Sequence, residues 1–245
     1  MELNLRGKKA LVMGSSQGIG KAVADSLVRE GVEVCISSRT EENLKRTAYE
    51  INAAHFITCD LSVQGAAKEL TRKALDKMGH IDILITNTGG PEKNSFDDTS
   101  VEQWHKDYQS LWMSPIEAIH ELLPSMKKNR FGRVLMVSSI AAKEPLSGLT
   151  TSNAFRAGFP GLVKSLVNEY SEFGVTFNIL LPGYTNTDRI KNLNLSEERI
   201  REIVPAGRLG DPRELADLAC FLSSERGSYI TGQSIAIDGG ALRSH

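Results

Sequence analysis

Apolar residues along this chain form short runs separated by stretches of helical spacing. Ala10, Leu11, Val12 and Met13 make the first run, which stops at Gly14. Beyond Gly20, Ala22, Val23, Leu27 and Val28 recur at helical intervals and Gly31 closes the element. Glu33–Ser38 predicts a second strand, Glu41–Ile51 a helix with Leu44, Ala48 and Ile51 on one face, and Phe56–Thr58 a third strand. A helix over Gln64–Met78 and a strand over Ile81–Thr86 follow. Trp104–Lys128 predicts a long helical stretch that carries Pro115, and Arg133–Ser139 a fifth strand. Ser152–Phe173 reads as helix, Val175–Leu181 as strand, and Asp188–Pro205 as a polar segment without strand character. Asp211 and Pro212 start another helix as N-cap and first-turn proline, and Ile235–Ile237 is the last strand.

Short strands alternating with helices over short connections predict an α/β fold with a parallel sheet. Right-handed crossovers wind seven strands doubly, in the order 3-2-1-4-5-6-7. No linker, repeat or low-complexity segment divides the chain, so residues 1–245 read as one domain. Ligands of such sheets bind beyond the carboxyl ends of the strands. Gly14, Ser38-Arg39, Asp60, Asn87, Ser139 and Pro182-Gly183 all fall there. Gly14, Gly18 and Gly20 suit a tight turn, close approach to a phosphate at a helix N-terminus, and close helix–sheet packing. An ordinary strand–helix turn has the same composition, so the glycines alone leave both readings open.

Composition narrows the partners. Twenty-nine Lys and Arg against thirty Asp and Glu give a net charge of −1 without runs of one sign. That argues against nucleic acid or a membrane surface as the main partner. No apolar run approaches the roughly 18 residues of a membrane span, and the first strand begins too early for a signal peptide. The expected location is cytoplasmic. Cys35, Cys59 and Cys220 form no CxxC pair, and histidines 55, 80, 105, 120 and 245 show no metal spacing, so neither disulfide nor metal is expected.

The pieces Gly14-Ser-Ser16-Gln17-Gly18-Ile19-Gly20, Asp60-Leu61, Thr86-Asn87-Thr88-Gly89, Ser139, Pro182-Gly183 with Thr187, and Asp238-Gly239-Gly240 run in a characteristic order. Through them the chain resembles the short-chain dehydrogenase/reductase family, and most closely its 3-oxoacyl-carrier-protein reductase-like branch. The resemblance implies a Rossmann-type fold and a bound nicotinamide dinucleotide. Ser16, Gln17 and Ile19 would join the glycines at the phosphates, Asp60 and Leu61 would meet adenine, and Asn87 and Gly89 the adenosine ribose. Pro182, Gly183, Thr185 and Thr187 would frame the nicotinamide end. Where the family places a carboxylate to select NAD, this chain has Ser38 followed by Arg39, which favours a 2′-phosphate and hence NADP(H). Lys21 would add positive potential. Residues 188–205 would form a lid over a small-molecule substrate, and family relatives are commonly homotetramers.

The catalytic pattern departs from the family's Asn, Ser and Tyr-x-x-x-Lys. Ser139 is in place, but thirteen residues on stands Ser152, and four further Arg156; Leu111 takes the Asn position. An aliphatic hydroxyl and a guanidinium cannot relay a proton as a phenol and ammonium do. Ser139 and Ser152 would instead bond a developing alkoxide, and Arg156 the nicotinamide ribose. Alternatively, Ser152 caps its helix and Arg156 pairs with a surface acid. Pro115 removes the hydrogen bond to the Leu111 carbonyl, so a kinked helix is expected to leave that carbonyl facing Arg156, directly or through water; alternatively, the helix ends near Met113 and restarts after Ser114. Tyr184 is a further candidate proton donor or pocket wall. Two functions stand: an NADP(H)-linked oxidoreductase on a small carbonyl or alcohol, such as a 3-oxoacyl thioester or sugar, and a weakly catalytic or inactive dinucleotide-binding protein. Non-redox chemistry on the same scaffold is a third.

Overall fold

The computed structural model describes residues 2–244, so His245 lies outside it. Seven strands form one all-parallel sheet in the order β3-β2-β1-β4-β5-β6-β7, as the crossover rule predicts. The first half runs β1 (Lys9–Val12), α1 (Gly18–Arg29), β2 (Glu33–Ser38), α2 (Glu41–Ile51), β3 (His55–Thr58), α3 (Ala66–Met78) and β4 (Ile83–Asn87). Then come α4 (Val101–Asp107), α5 (Ser114–Asn129), β5 (Gly132–Val137), α6 (Thr150–Ala157), α7 (Phe159–Tyr170) and β6 (Val175–Pro182). The chain closes with α8 (Asp188–Lys191), α9 (Glu197–Ile203), α10 (Pro212–Ser223) and β7 (Ser234–Ile237).

Alternating side chains point to opposite faces of a strand, and here both faces are covered. Leu11 and Leu84 join residues of α3, α5 and α7 in one core, while Ala10, Val12 and Ile83 join residues of α1, α2 and α10 in the other. β5 and β6 are buried along their whole length, which is why they read as continuous apolar runs. α10 begins with a reciprocal capping box between Asp211 and Glu214.

Two expected helices are each divided. The stretch over 104–128 becomes α4, a wide π-helical turn at Tyr108–Met113, and α5, with Pro115 in the first turn of α5. Proline has no N–H to give the preceding turn, and the π register absorbs the mismatch. The stretch over 152–173 divides at Gly158, where a Cβ would lie 2.8 Å from the Trp112 ring. Trp112 and Phe159 stack with centroids 5.1 Å apart across that junction, and Pro160 sits in the first turn of α7.

The turn after β1 passes between the ends of β2 and β4. Ser15 N–H donates to the Ser37 carbonyl at 2.9 Å, and Ser15 Oγ accepts from Ser37 N–H at 3.0 Å. On the other flank Asn87 Nδ2 donates to the Gly14 carbonyl at 2.7 Å. Gly14 has φ +57°, and a Cβ there would lie 2.3 Å from the Asn87 carbonyl oxygen. A Cβ at Gly20 would lie 2.3 Å from the Gly14 carbonyl oxygen. Gly14→Ala should therefore lose about 2–4 kcal/mol, combining left-handed strain with overpacking. Gly65, at φ +77° but facing open space, provides the control. Gly65→Ala should lose only about 1 kcal/mol. Urea unfolding of both variants checks this, and equal losses would contradict it.

Candidate functional site

A trough runs along the carboxyl ends of the strands. Its first part, about 410 Å³, lies over β2 and β3 and is lined by Ser16, Ser38, Asp60 and Leu61. Its second part, about 550 Å³, lies over β5 and β6 and is lined by Gly18, Ile19, Asn87, Ser139, Ser152, Arg156, Pro182, Gly183, Tyr184, Thr185 and Thr187. Gly14, Gln17, Arg39 and Gly89 line both. Of the expected residues only Gly20 stands behind the lining, packed against the Gly14 carbonyl. A Cβ at Gly18 would press on Thr187 Cγ2 at 3.3 Å, so the glycine turn and the segment after β6 approach closely.

At the β2–β3 end, Ser38 Oγ is buried without a partner in the protein, beside the exposed Arg39. Asp60 Oδ1 accepts from Ser62 N–H at 2.9 Å and from Ser62 Oγ at 2.8 Å. The Ser62 amide holds its carboxyl below the usual range, with a smaller contribution from the Arg39 charge. Lys21 differs from expectation: it is ion-paired with Glu50, so its charge is met within the protein.

At the β5–β6 end, Arg156 is 5% exposed. Its Nε donates to Ser152 Oγ at 3.1 Å, Nη1 to the Val137 carbonyl at 3.2 Å, and Nη2 to the Gly89 carbonyl at 2.7 Å. Among the described residues no acid pairs with it, and its burial overturns the surface ion-pair alternative. Burial, and then the charge of Arg189, bring its guanidinium down to about 10, still protonated at neutral pH. Ser152 lies inside α6 and does not cap it; the N-cap position is Leu149. Asp107 accepts from Thr151 Oγ1 at 2.6 Å and from Gln103 Nε2 at 2.7 Å, which ties α6 to α4. Ser139, beyond the end of β5, accepts from the Ala141 N–H at 3.1 Å. Both serine oxygens thus receive a protein donor and keep their own hydrogens for a ligand.

The direct contact expected between the Leu111 carbonyl and Arg156 is not made, and the helix restarts at Ser114, close to the alternative of a break at this point. Leu111 lies in the π-helical turn, is buried, and lines the β2–β3 part of the trough. The three hydrogen bonds of Arg156 go to Ser152, Val137 and Gly89, and none reaches the Leu111 carbonyl.

Arg189, in α8, escaped the sequence reading. Its Nη2 donates to the Pro91 carbonyl at 2.9 Å, and a Cβ at Gly90 would fall 2.0 Å from its Nη1. Nothing local marks an arginine two residues past Thr187, since its partner is 98 residues away. Among the described residues no cluster of His, Cys, Asp and Glu could hold a metal, and no helix is long and apolar enough to cross a membrane.

Comparison with known proteins agrees with this geometry. Residues 14–241 match the family profile described as enoyl-(acyl carrier protein) reductase. The chain is 35% identical to the 3-oxoacyl-[acyl-carrier-protein] reductase FabG of Vibrio cholerae, over 97% of this chain and 98% of that one. It is 32% identical to the NADPH-dependent reductase BacG of Bacillus subtilis, over 97% and 98% respectively. Among solved structures, a 3-oxoacyl (acyl-carrier-protein) reductase from Agrobacterium tumefaciens with NADP bound superposes with a TM-score of 0.92 at 29% identity, covering 98% of this chain and 96% of that one. With the sheet order, the glycine turn and the trough, these matches show that the chain belongs to the short-chain dehydrogenase/reductase family.

Proposed function

We propose that this protein is an NADP(H)-dependent oxidoreductase that interconverts a small carbonyl and the corresponding alcohol, with Ser152 and Arg156 in place of a tyrosine–lysine pair. The carrying observation is the pair of serine hydroxyls. Ser139 and Ser152 line one cavity, each with its oxygen already accepting a protein N–H, so that each O–H is left to donate to a substrate oxygen. Arg156 stands behind Ser152 as a buried cation and makes that hydroxyl a better donor. Such preorganised donors stabilise an oxygen that gains negative charge without having to reorient.

The residues fit the dinucleotide. Gly14 and Gly18 leave a cradle without side chains, and Ser38 Oγ is a buried hydroxyl in need of a partner. Ser38 and Arg39 would hold the 2′-phosphate, Asp60 and Leu61 the adenine, Asn87 and Gly89 the adenosine ribose. Arg156 would bond the nicotinamide ribose, framed by Pro182, Gly183, Thr185 and Thr187. When bound, the nicotinamide supplies the two electrons of the reduction. Relatives support the phosphorylated cofactor: BacG is NADPH-dependent by name, and the Agrobacterium structure holds NADP. The segment 188–205, which contains α8 and α9, would cover the substrate. A cytoplasmic homotetramer joined through α4–α5 and α6–α7 completes the reading. The 69%-exposed Phe96, packed edge-on against Trp104 at 6.3 Å, supports association on that side.

Fluorescence titration should show NADPH binding more tightly than NADH. Arg39→Ala should weaken NADPH by about 10–100-fold, the loss of one or two charge-assisted bonds, and leave NADH unchanged. A preference for NADH would contradict the assignment.

Among the described residues the β5–β6 cavity is lined by no His, Cys, Lys or Glu; its phenol is Tyr184, which forms part of the wall, and its carboxylate is the exposed Asp188. Reduction of carbonyl substrates should therefore be nearly independent of pH between about 6 and 9, since neither an aliphatic hydroxyl nor a guanidinium titrates there. Ser139→Ala should lower kcat by about 10²–10³ at every pH, the loss of one donor to the reacting oxygen. NADPH binding without turnover on any carbonyl or polyol would instead favour the non-catalytic dinucleotide-binding protein.

A further inference from the structure

The β5–β6 end of the trough carries positive charge that the protein does not balance. All three acceptors of Arg156 are neutral: one hydroxyl and two backbone carbonyls. Arg189 reaches the same loop from α8, bonding the carbonyl of Pro91, two residues from the Gly89 carbonyl that Arg156 holds. Its guanidinium lies against Gly90, a position that has no room for a side chain. Asp188 is the one acidic residue lining this cavity, and it is exposed and paired with Lys191 at 3.7 Å. The β2–β3 end is different: Asp60, Glu92 and Asp107 line it alongside Arg39 and Lys106.

A buried guanidinium near a second one is unfavourable unless an anion completes the arrangement. Arginine cannot escape by losing its proton near neutral pH. Two classes of anion reach this trough, the cofactor's phosphates and the substrate. Position discriminates between them. Arg156 is fixed at the two reacting-end features, Ser152 and the last carbonyl of β5, and Arg189 faces it from α8, in the segment that would cover the substrate. Ile140, Leu146, Leu149 and Ile190 supply an apolar part of the wall, beside the polar Tyr184 and Asn192.

We infer that the substrate is a small oxo acid or hydroxy acid with an apolar body. Its carboxylate is held by Arg189 in the cavity that Arg156 also lines, and its reacting oxygen lies at Ser139 and Ser152. This rests on the oxidoreductase reading above and narrows it. A fork-shaped guanidinium suits a carboxylate, which takes two parallel N–H bonds. The apolar walls would take the hydrocarbon body.

The test uses 2-oxooctanoate and 3-oxooctanoate, each beside its methyl ester, which keeps the shape and removes the charge. Binding to the full-length protein saturated with NADP⁺ is measured by calorimetry, and turnover with NADPH is followed separately. Each acid should bind at least about 10-fold tighter than its ester. Arg189→Gln should weaken the better-binding acid by about 10–100-fold and leave the ester and NADPH unchanged. Arg189 sits exposed on a four-residue helix, so the variant keeps the core intact. Acid and ester binding alike, or neither binding, would overturn the inference. So would an Arg189→Gln variant that loses NADPH affinity instead, which would assign the charge to the cofactor. Acid binding without any reduction would leave the anion site standing and remove the oxidoreductase reading.

Discussion

The turn after β1 is confined on both sides, and much of the site follows from that confinement. It passes between the ends of β2 and β4 with no space for a side chain at Gly14 or Gly20. Asn87 closes it by bonding the Gly14 carbonyl from the end of β4. The same strand then runs into Gly89, Gly90 and Pro91, whose carbonyls or backbone meet Arg156 and Arg189. The glycine turn is thus tied to Ser152 by hydrogen bonds at Asn87 and at Arg156, with the backbone from Asn87 to Gly89 as the link between them. On the proposed reading, the cradle for a phosphate and one donor for a substrate oxygen would be positioned by the same set of contacts.

On the proposed reading, a hydroxyl and a guanidinium in place of a phenol and an ammonium would change what the site does well. It would give up a proton donor tuned near neutral pH, a help worth about 10²–10⁴ in rate. It would keep the ability to hold an oxygen that gains charge, because two hydroxyls and a buried cation need no reorganisation. Reactions that build negative charge on oxygen and collect the proton afterwards from water suit this arrangement best.

The sheet order and the strand-end residues of the trough were legible because they follow from short-range pattern, whereas Ser152, Arg156, Thr185 and Thr187 were reached through the family resemblance. Apolar runs ending in Gly14, Ser38, Asn87 and Pro182 announce strands whose carboxyl ends share one edge. The divided helices were less legible. Pro115 signalled a disturbance, but whether it becomes a kink, a break or a π-helical turn depends on what packs around it. Gly158 gave no local warning, since its role is to admit the Trp112 ring from a different helix. Lys21 was misread for a related reason: its partner Glu50 lies on a neighbouring helix, 29 residues away. Arg189 could be seen only once the loop from Gly89 to Pro91 was placed beneath it.

Arg156 also acts as a brace. Its planar head reaches the end of β5, the loop after β4 and Ser152 on its own helix at the same time. A lysine has a single nitrogen at the tip of a flexible stem, whereas the guanidinium presents three nitrogens in one rigid plane. A lysine at this position would therefore trade a three-way brace between strand, loop and helix for a single point of attachment, and the end of β5 and the loop after β4 would be held together less firmly.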